Sequence, residues 1–229
     1  MNLHTRRFML QGPAGCIEAA EDLPQLPPGG VERGAAVIAH PHPLFAGTMD
    51  NKVVQTLARA FVHCGWRAIR FNFRGVGATQ GVHDGGRGEL LDMLAVVEHA
   101  TRAHRVGMDA SPNIPLALAL AGFSFGSFVT SHAVQALGAQ RAPQQLVLVG
   151  TAATRFEVAP IAHALHERTL VLHGEHDDTV PLLDVMNWAR PQTLPVTVIP
   201  GGSHFFHGQL PLLRHLVVRH LQAGSATIT

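Results

Sequence analysis

Short apolar runs and longer stretches of helical spacing alternate along most of the chain. Six of the short runs, Ala35–Ala39, Arg67–Phe73, Leu116–Ala121, Leu146–Gly150, Leu170–His173 and Val196–Ile199, are predominantly apolar. That is the pattern of strands buried on both faces. Two earlier segments, Arg7–Leu10 and Cys16–Ala20, read as an antiparallel pair, with Gly12-Pro13 and Gly15 between them for the turn. Asp22 to Gly34 is rich in Pro and Gly and predicts a surface loop. Helices are predicted over Asn51–His63, Gly88–Arg105, Gly126–Leu137, Pro181–Ala189 and Gln209–Leu221. In the first of these Val53, Leu57, Ala60 and Phe61 share one face, and in the second Leu90, Leu91, Leu94 and Val97 do.

Strand–helix alternation of this kind predicts a doubly wound, mostly parallel α/β sheet with an antiparallel N-terminal strand pair, helices on both faces making three α/β/α layers. Residues 1–229 are expected to form one domain, since that length suits a single core. Only Thr151 to Thr169 separates two of the strands, too little for a cap domain at that point.

Composition narrows the function classes. Hydrophobic residues make up 46% and charged residues 14%, which excludes intrinsic disorder. Lys+Arg 17 against Asp+Glu 16 leaves a net charge of +1, so no global basic field exists to hold nucleic acid. The twin arginines at Arg6-Arg7 are followed by Gln11-Gly12-Pro13 rather than the apolar stretch of an export signal. The longest nearly apolar run, Ile114 to Phe123, is far short of the roughly 20 residues of a membrane span. A soluble, cytoplasmic protein with no nucleic-acid or membrane partner is the expectation. The two cysteines, Cys16 and Cys64, suit buried free thiols in a reducing compartment. Nothing in the sequence sets an oligomeric state.

In a sheet of this type ligands bind at the carboxyl ends of the strands, and the reactive side chains crowd those ends. The run Leu116–Ala121 leads into Gly122-Phe123-Ser124-Phe125-Gly126 and then a helix, a Gly-x-Ser-x-Gly turn in the strand–turn–helix setting that gives it meaning. Bulky neighbours two residues either side of such a serine would collide with the adjoining strand and helix. Ser124 is therefore the candidate nucleophile. A serine hydroxyl needs a base to take its proton, and the base needs an acid to orient it. Gly174-Glu175-His176-Asp177-Asp178 follows one later strand and Gly201-Gly202-Ser203-His204 the last. The chain order Ser, Asp, His is that of a hydrolase triad on this kind of sheet. Asp177 is the candidate acid, while Asp178 or Thr179 is placed to cap the helix opening at Pro181.

At this point the chain resembles an α/β-hydrolase over essentially its whole length, and most of all the small, lidless bacterial group near dienelactone hydrolases and acyl-peptidase catalytic domains. The segments that carry the resemblance are His40-Pro41-His42-Pro43-Leu44-Phe45-Ala46-Gly47-Thr48-Met49-Asp50-Asn51-Lys52, Phe71-Asn72-Phe73-Arg74-Gly75-Val76-Gly77 and Gly174-x-x-Asp177-x-x-Val180-Pro181. His40-Pro41 stands where many relatives carry His-Gly. The resemblance implies an oxyanion hole from the backbone N–H of Phe125 and one N–H of the His40–Leu44 loop. By position that second donor is His42, with Leu44 the fallback, because Pro41 and Pro43 have no N–H.

The expected activity is cleavage of carboxylic esters through a Ser124 acyl-enzyme, with a small-molecule ester or thioester as substrate. Thioester and peptide-amide hydrolysis are the alternatives in the same class, and a non-catalytic binding protein on the same fold is the alternative outside it. No cofactor and no metal are expected, although His40-x-His42, His173-x-x-His176 and His204-x-x-His207 have the spacing of ligand pairs. Arg74 either clamps a substrate anion bidentately or ties two loops together through backbone carbonyls. Leu44, Phe45 and Phe205, with Phe123 and Phe206, flank the motifs and are candidates for lining a substrate pocket.

Overall fold

The computed structural model describes residues 5–28, 30–107 and 117–223. Leu116, Ile114 and Gly29, named above within a strand, an apolar run and a loop, lie outside them. One eight-stranded sheet is formed by β1 (Thr5–Gly12), β2 (Gly15–Asp22), β3 (Gly34–Ala39), β4 (Arg67–Phe71), β5 (Ala117–Phe123), β6 (Gln145–Val149), β7 (Thr169–Gly174) and β8 (Val196–Ile199). Their spatial order is β1-β2-β4-β3-β5-β6-β7-β8. The six from β4 to β8 run parallel. The N-terminal hairpin is antiparallel, and β2 joins the rest of the sheet antiparallel to β4.

Period-two alternation sorts the inner strands onto two cores. Ala35, Val37 and Ala39 of β3 face one side and Ala36 and Ile38 the other. Helices α2 (Arg87–Gly107), α3 (Phe125–Leu137) and α4 (Leu182–Ala189) cover the first face, α1 (Lys52–His63) and α5 (Leu210–Ala223) the second. Small residues on the sheet meet large ones on the helix. Ala36, Ala119 and Ala121 share the second core with Leu57 and Phe61 of α1, and burying each large side chain stabilises by about 1.5–3 kcal/mol.

Helix α2 departs from its expected face. Met93, Val96, Val97 and Ala100 are buried, Leu90 and Leu94 pack at the edge, and Leu91 is exposed. The face is rotated because two acids lie on it. Glu89 accepts the N–H groups of Asp84 and Gly86, and Asp92 takes a guanidinium from the β4 loop. Cys64 is buried, whereas Cys16 is half-buried on β2, and both are free.

Between β6 and β7 the only regular element is a 3₁₀ stretch, His163–Arg168, so no cap covers that edge of the sheet. Among the described residues no helix is long and apolar enough to cross a membrane.

Candidate active site

The chain leaves β5 and enters α3 in a single residue, Ser124, with φ 56° and ψ −119°. A left-handed φ at a non-glycine residue costs about 1–3 kcal/mol and persists only where the surroundings impose it. They do so through backbone contact. A Cβ on Gly122 would lie 2.4 Å from the Gly126 carbonyl, and one on Gly126 would lie 2.4 Å from the Ala39 oxygen. The Ser124 N–H donates to Val149 O at 2.8 Å. The buried Ser127 hydroxyl donates to Gly122 O and accepts the Val149 N–H, tying the turn to β6.

His204 follows β8, and its ring meets the turn. Its Nε2 is 3.1 Å from Ser124 Oγ and its Nδ1 is 2.7 Å from Asp177 Oδ2. An ionised carboxylate only accepts, so Nδ1 carries the hydrogen and Nε2 is left to accept from the serine hydroxyl. Asp177 Oδ1 accepts the N–H groups of Thr179 and Val180 at 3.0 and 2.7 Å. Burial opposes the charge on Asp177, but the hydrogen bond and charge of His204, with the Val180 N–H, outweigh it and hold the carboxyl below its ordinary value.

Backbone bonds join the acid loop to the histidine loop, from Glu175 N to Ile199 O and from His176 N to Gly202 O. The expected cap by Asp178 or Thr179 is not made. Helix α4 starts after Pro181 without a side-chain cap, because Asp177 itself receives the loop's N–H groups. His173, at the end of β7, donates Nε2–H to Val180 O across the same loop.

The loop after β3 is held from below. His40 is buried, accepts the Phe73 N–H on Nε2, and donates Nδ1–H to Pro41 O. Asn72 accepts the Met49 N–H, and Arg70 donates to Met49 O and to Asp50. The His42 imidazole turns back to accept the Leu44 N–H, capping a 3₁₀ turn over Pro43–Phe45. The Leu44 N–H is thereby engaged. With both His40 nitrogens committed to backbone, the His40-x-His42 pair does not form a ligand set. Among the described residues no group of three His, Cys, Asp or Glu side chains could hold a metal ion.

The rim residues divide by exposure. Leu44, Phe45 and Phe205 are 68%, 69% and 43% exposed and stand open at the loop tips. Phe123 and Phe206 are buried, and Phe123 packs against the His204 ring with centroids 5.0 Å apart. Arg74 is a correction to the anion-clamp reading. Its guanidinium is paired bidentately with buried Asp92, Nε–Oδ2 2.9 Å and Nη2–Oδ1 2.8 Å. It ties the β4 loop to α2 through that carboxylate. Two residues the sequence did not single out join the site's wall: Phe156 packs on Phe125 at 5.1 Å, and His83 on His42 at 4.8 Å. Both lie in loops without periodicity, so no sequence signal marked them.

The chain is similar to XC6422 from Xanthomonas campestris, an α/β serine hydrolase without lid, with 34% identity, a TM-score of 0.82 and coverage of 97% of this chain and 96% of that one. It is similar at 35% identity and a TM-score of 0.76 to an α/β serine hydrolase homologue from Coxiella burnetii, covering 94% and 97%. Among curated proteins, the uncharacterized protein RP471 of Rickettsia prowazekii is 28% identical over 222 residues, 87% of this chain and 82% of that protein. No protein-family model matches.

Proposed function

The chain belongs to the α/β-hydrolase superfamily, among its lidless serine hydrolases, and from that we propose that it cleaves carboxylic esters of modest size by acyl transfer to Ser124. The observation that carries the reading is the unbroken line from Ser124 Oγ through His204 to Asp177, buried at the carboxyl edge of the sheet.

Each step follows from that line. His204 Nε2 takes the hydroxyl proton as Oγ attacks the ester carbonyl. Asp177 holds the tautomer that leaves Nε2 free and stabilises the imidazolium. The negative oxygen of the tetrahedral intermediate is received by the N–H of Phe125, at the start of α3, and by that of His42. Such donors contribute roughly 3–4 kcal/mol each. His204 then returns its proton to the leaving oxygen, and water repeats the sequence on the acyl-enzyme. The open rim and the missing cap support an ester small enough to sit on an uncovered edge.

A fluorophosphonate that modifies reactive serines tests the reading, followed by turnover of matched esters, thioesters and amides. The expected result is stoichiometric labelling, lost in Ser124→Ala, with esters turned over fastest. A folded protein that is neither labelled nor active on any of the three would overturn it.

A further inference from the structure

Three large apolar side chains stand open near the triad's loops, Leu44 and Phe45 beside His42 and Phe205 beside His204, and such exposed apolar surface suits a ligand. Proton transfer divides that surface. His204 must reach the leaving oxygen, so the leaving group lies on the side of His204 and Phe205. The acyl group is left with the other side, along Leu44, Phe45 and Phe156.

That side has a charge at its lip. Residues 151–162 leave β6, and Phe156 packs on Phe125 and within 5.8 Å of the His42 ring. Its neighbour Arg155 lays its guanidinium over Phe45, 5.9 Å from the ring centroid. The two segments therefore meet across the acyl side. Arg155 is exposed, and among the described residues it makes no ion pair. The other arginines near this edge are committed, Arg70 to Asp22 and Asp50, Arg74 to Asp92. Of the acids nearby, Glu157 is exposed two residues further on, and two in adjoining segments are engaged. Asp184 accepts the Thr154 hydroxyl, and buried Glu89 faces His83 at 2.8 Å. Arg155 is close enough to His42 for its charge to add to burial and His83 in holding that imidazole below its ordinary value, against the opposing charge of Glu89.

We infer that Arg155 selects the substrate's acyl group, which lies along Phe45 and ends in a carboxylate that the guanidinium receives, so that the preferred substrates are half-esters of short dicarboxylic acids. This rests on the acyl-transfer reading above. A planar guanidinium already backed by an aromatic face binds a carboxylate with little further loss of freedom.

The test compares 4-nitrophenyl glutarate, a half-ester with a free carboxylate, with 4-nitrophenyl valerate, which carries a methyl group in its place. In the intact protein kcat/KM should favour the glutarate. Arg155→Gln should lower the glutarate-to-valerate ratio about tenfold, mainly through KM, and Arg155→Lys should restore part of it. Raising the salt concentration should compress the ratio in the parent and leave it unchanged in Arg155→Gln. Equal losses on both esters would mean that Arg155 only props Phe45, and would overturn the inference while leaving the hydrolase reading intact. An unchanged ratio would do the same. No turnover of either ester, with no serine labelled, would remove the hydrolase reading and this inference with it.

Discussion

His40 and His204 stand at the carboxyl ends of β3 and β8, both buried, each with both ring nitrogens engaged. The partners differ. His40 bonds only to backbone, the Phe73 N–H and the Pro41 carbonyl, and so fastens one loop to the next strand. His204 bonds only to side chains, Asp177 and Ser124. Backbone groups at these positions neither gain nor lose protons, whereas a carboxylate and a hydroxyl let the ring move one. Burial and saturation therefore do not separate a structural imidazole from a chemical one. The chemistry of the second partner does.

The sharpest break of that comparison is His204→Ala. Turnover should fall by about 10⁶ while the protein stays folded at the assay temperature, as when one member of an interdependent triad is removed. Steady-state kinetics beside a thermal melt would show it, and a large loss of stability would make His204 structural as well. Asp177→Asn comes next. The asparagine oxygen is needed by Thr179 and Val180, so its NH₂ must face His204 and push the ring to the wrong tautomer. Turnover should drop by about 10⁴ with the fold retained, while Asp178→Asn should change it little. The reverse outcome would move the acid by one residue.

His40→Ala inverts the pattern. It orphans a buried N–H and opens a cavity, so urea unfolding should show a loss of about 2–4 kcal/mol. Turnover should fall by less than the 10²–10³ expected for loss of an oxyanion donor.

The last effect is a pH dependence, comparable in size to the loss in His40→Ala. Burial chiefly depresses His40 to about 4. Unfolding lets it bind a proton between that value and the ordinary 6.5, so stability should be full above pH 6.5 and fall as the pH drops towards 4, by roughly 3 kcal/mol in all. His173 and His220, also lowered mainly by burial, act in the same direction. Urea midpoints across that range should slope down towards acid, and less steeply in His40→Asn. Asp177, depressed instead, loses its contribution only at lower pH, as its carboxylate is protonated below the ordinary carboxyl range.

The same division explains what could be read from the sequence. Runs of consecutive apolar residues identify parallel strands because both faces are buried, and residues just past those runs must stand at one edge. Ser124, Asp177 and His204 were legible as neighbours for that reason. Arg74 was ambiguous because its partner, Asp92, lies on a helix whose rotation depends on Glu89 and Asp92 themselves being buried, which apolar periodicity does not encode. The cap expected from Asp178 failed because one residue, Asp177, serves the loop with one oxygen and the histidine with the other. Arg155, Phe156 and His83 sit in loops, where neither periodicity nor turn chemistry marks a residue.

The contacts at Gly122 and Gly126 set the terms on which this site can be redesigned. Main chain touches main chain there, so the hydroxyl's position does not depend on the side chains of the rim. A library that varies Leu44, Phe45, Arg155 and Phe205 together should leave the nucleophile undisturbed. Substituting even alanine at either glycine would force a strand, a helix and the neighbouring β3 apart before any new substrate could be tried. Adaptability and rigidity are thus assigned to different residues, and recombination between related sequences should exchange the rim loops freely while inheriting the turn as one block.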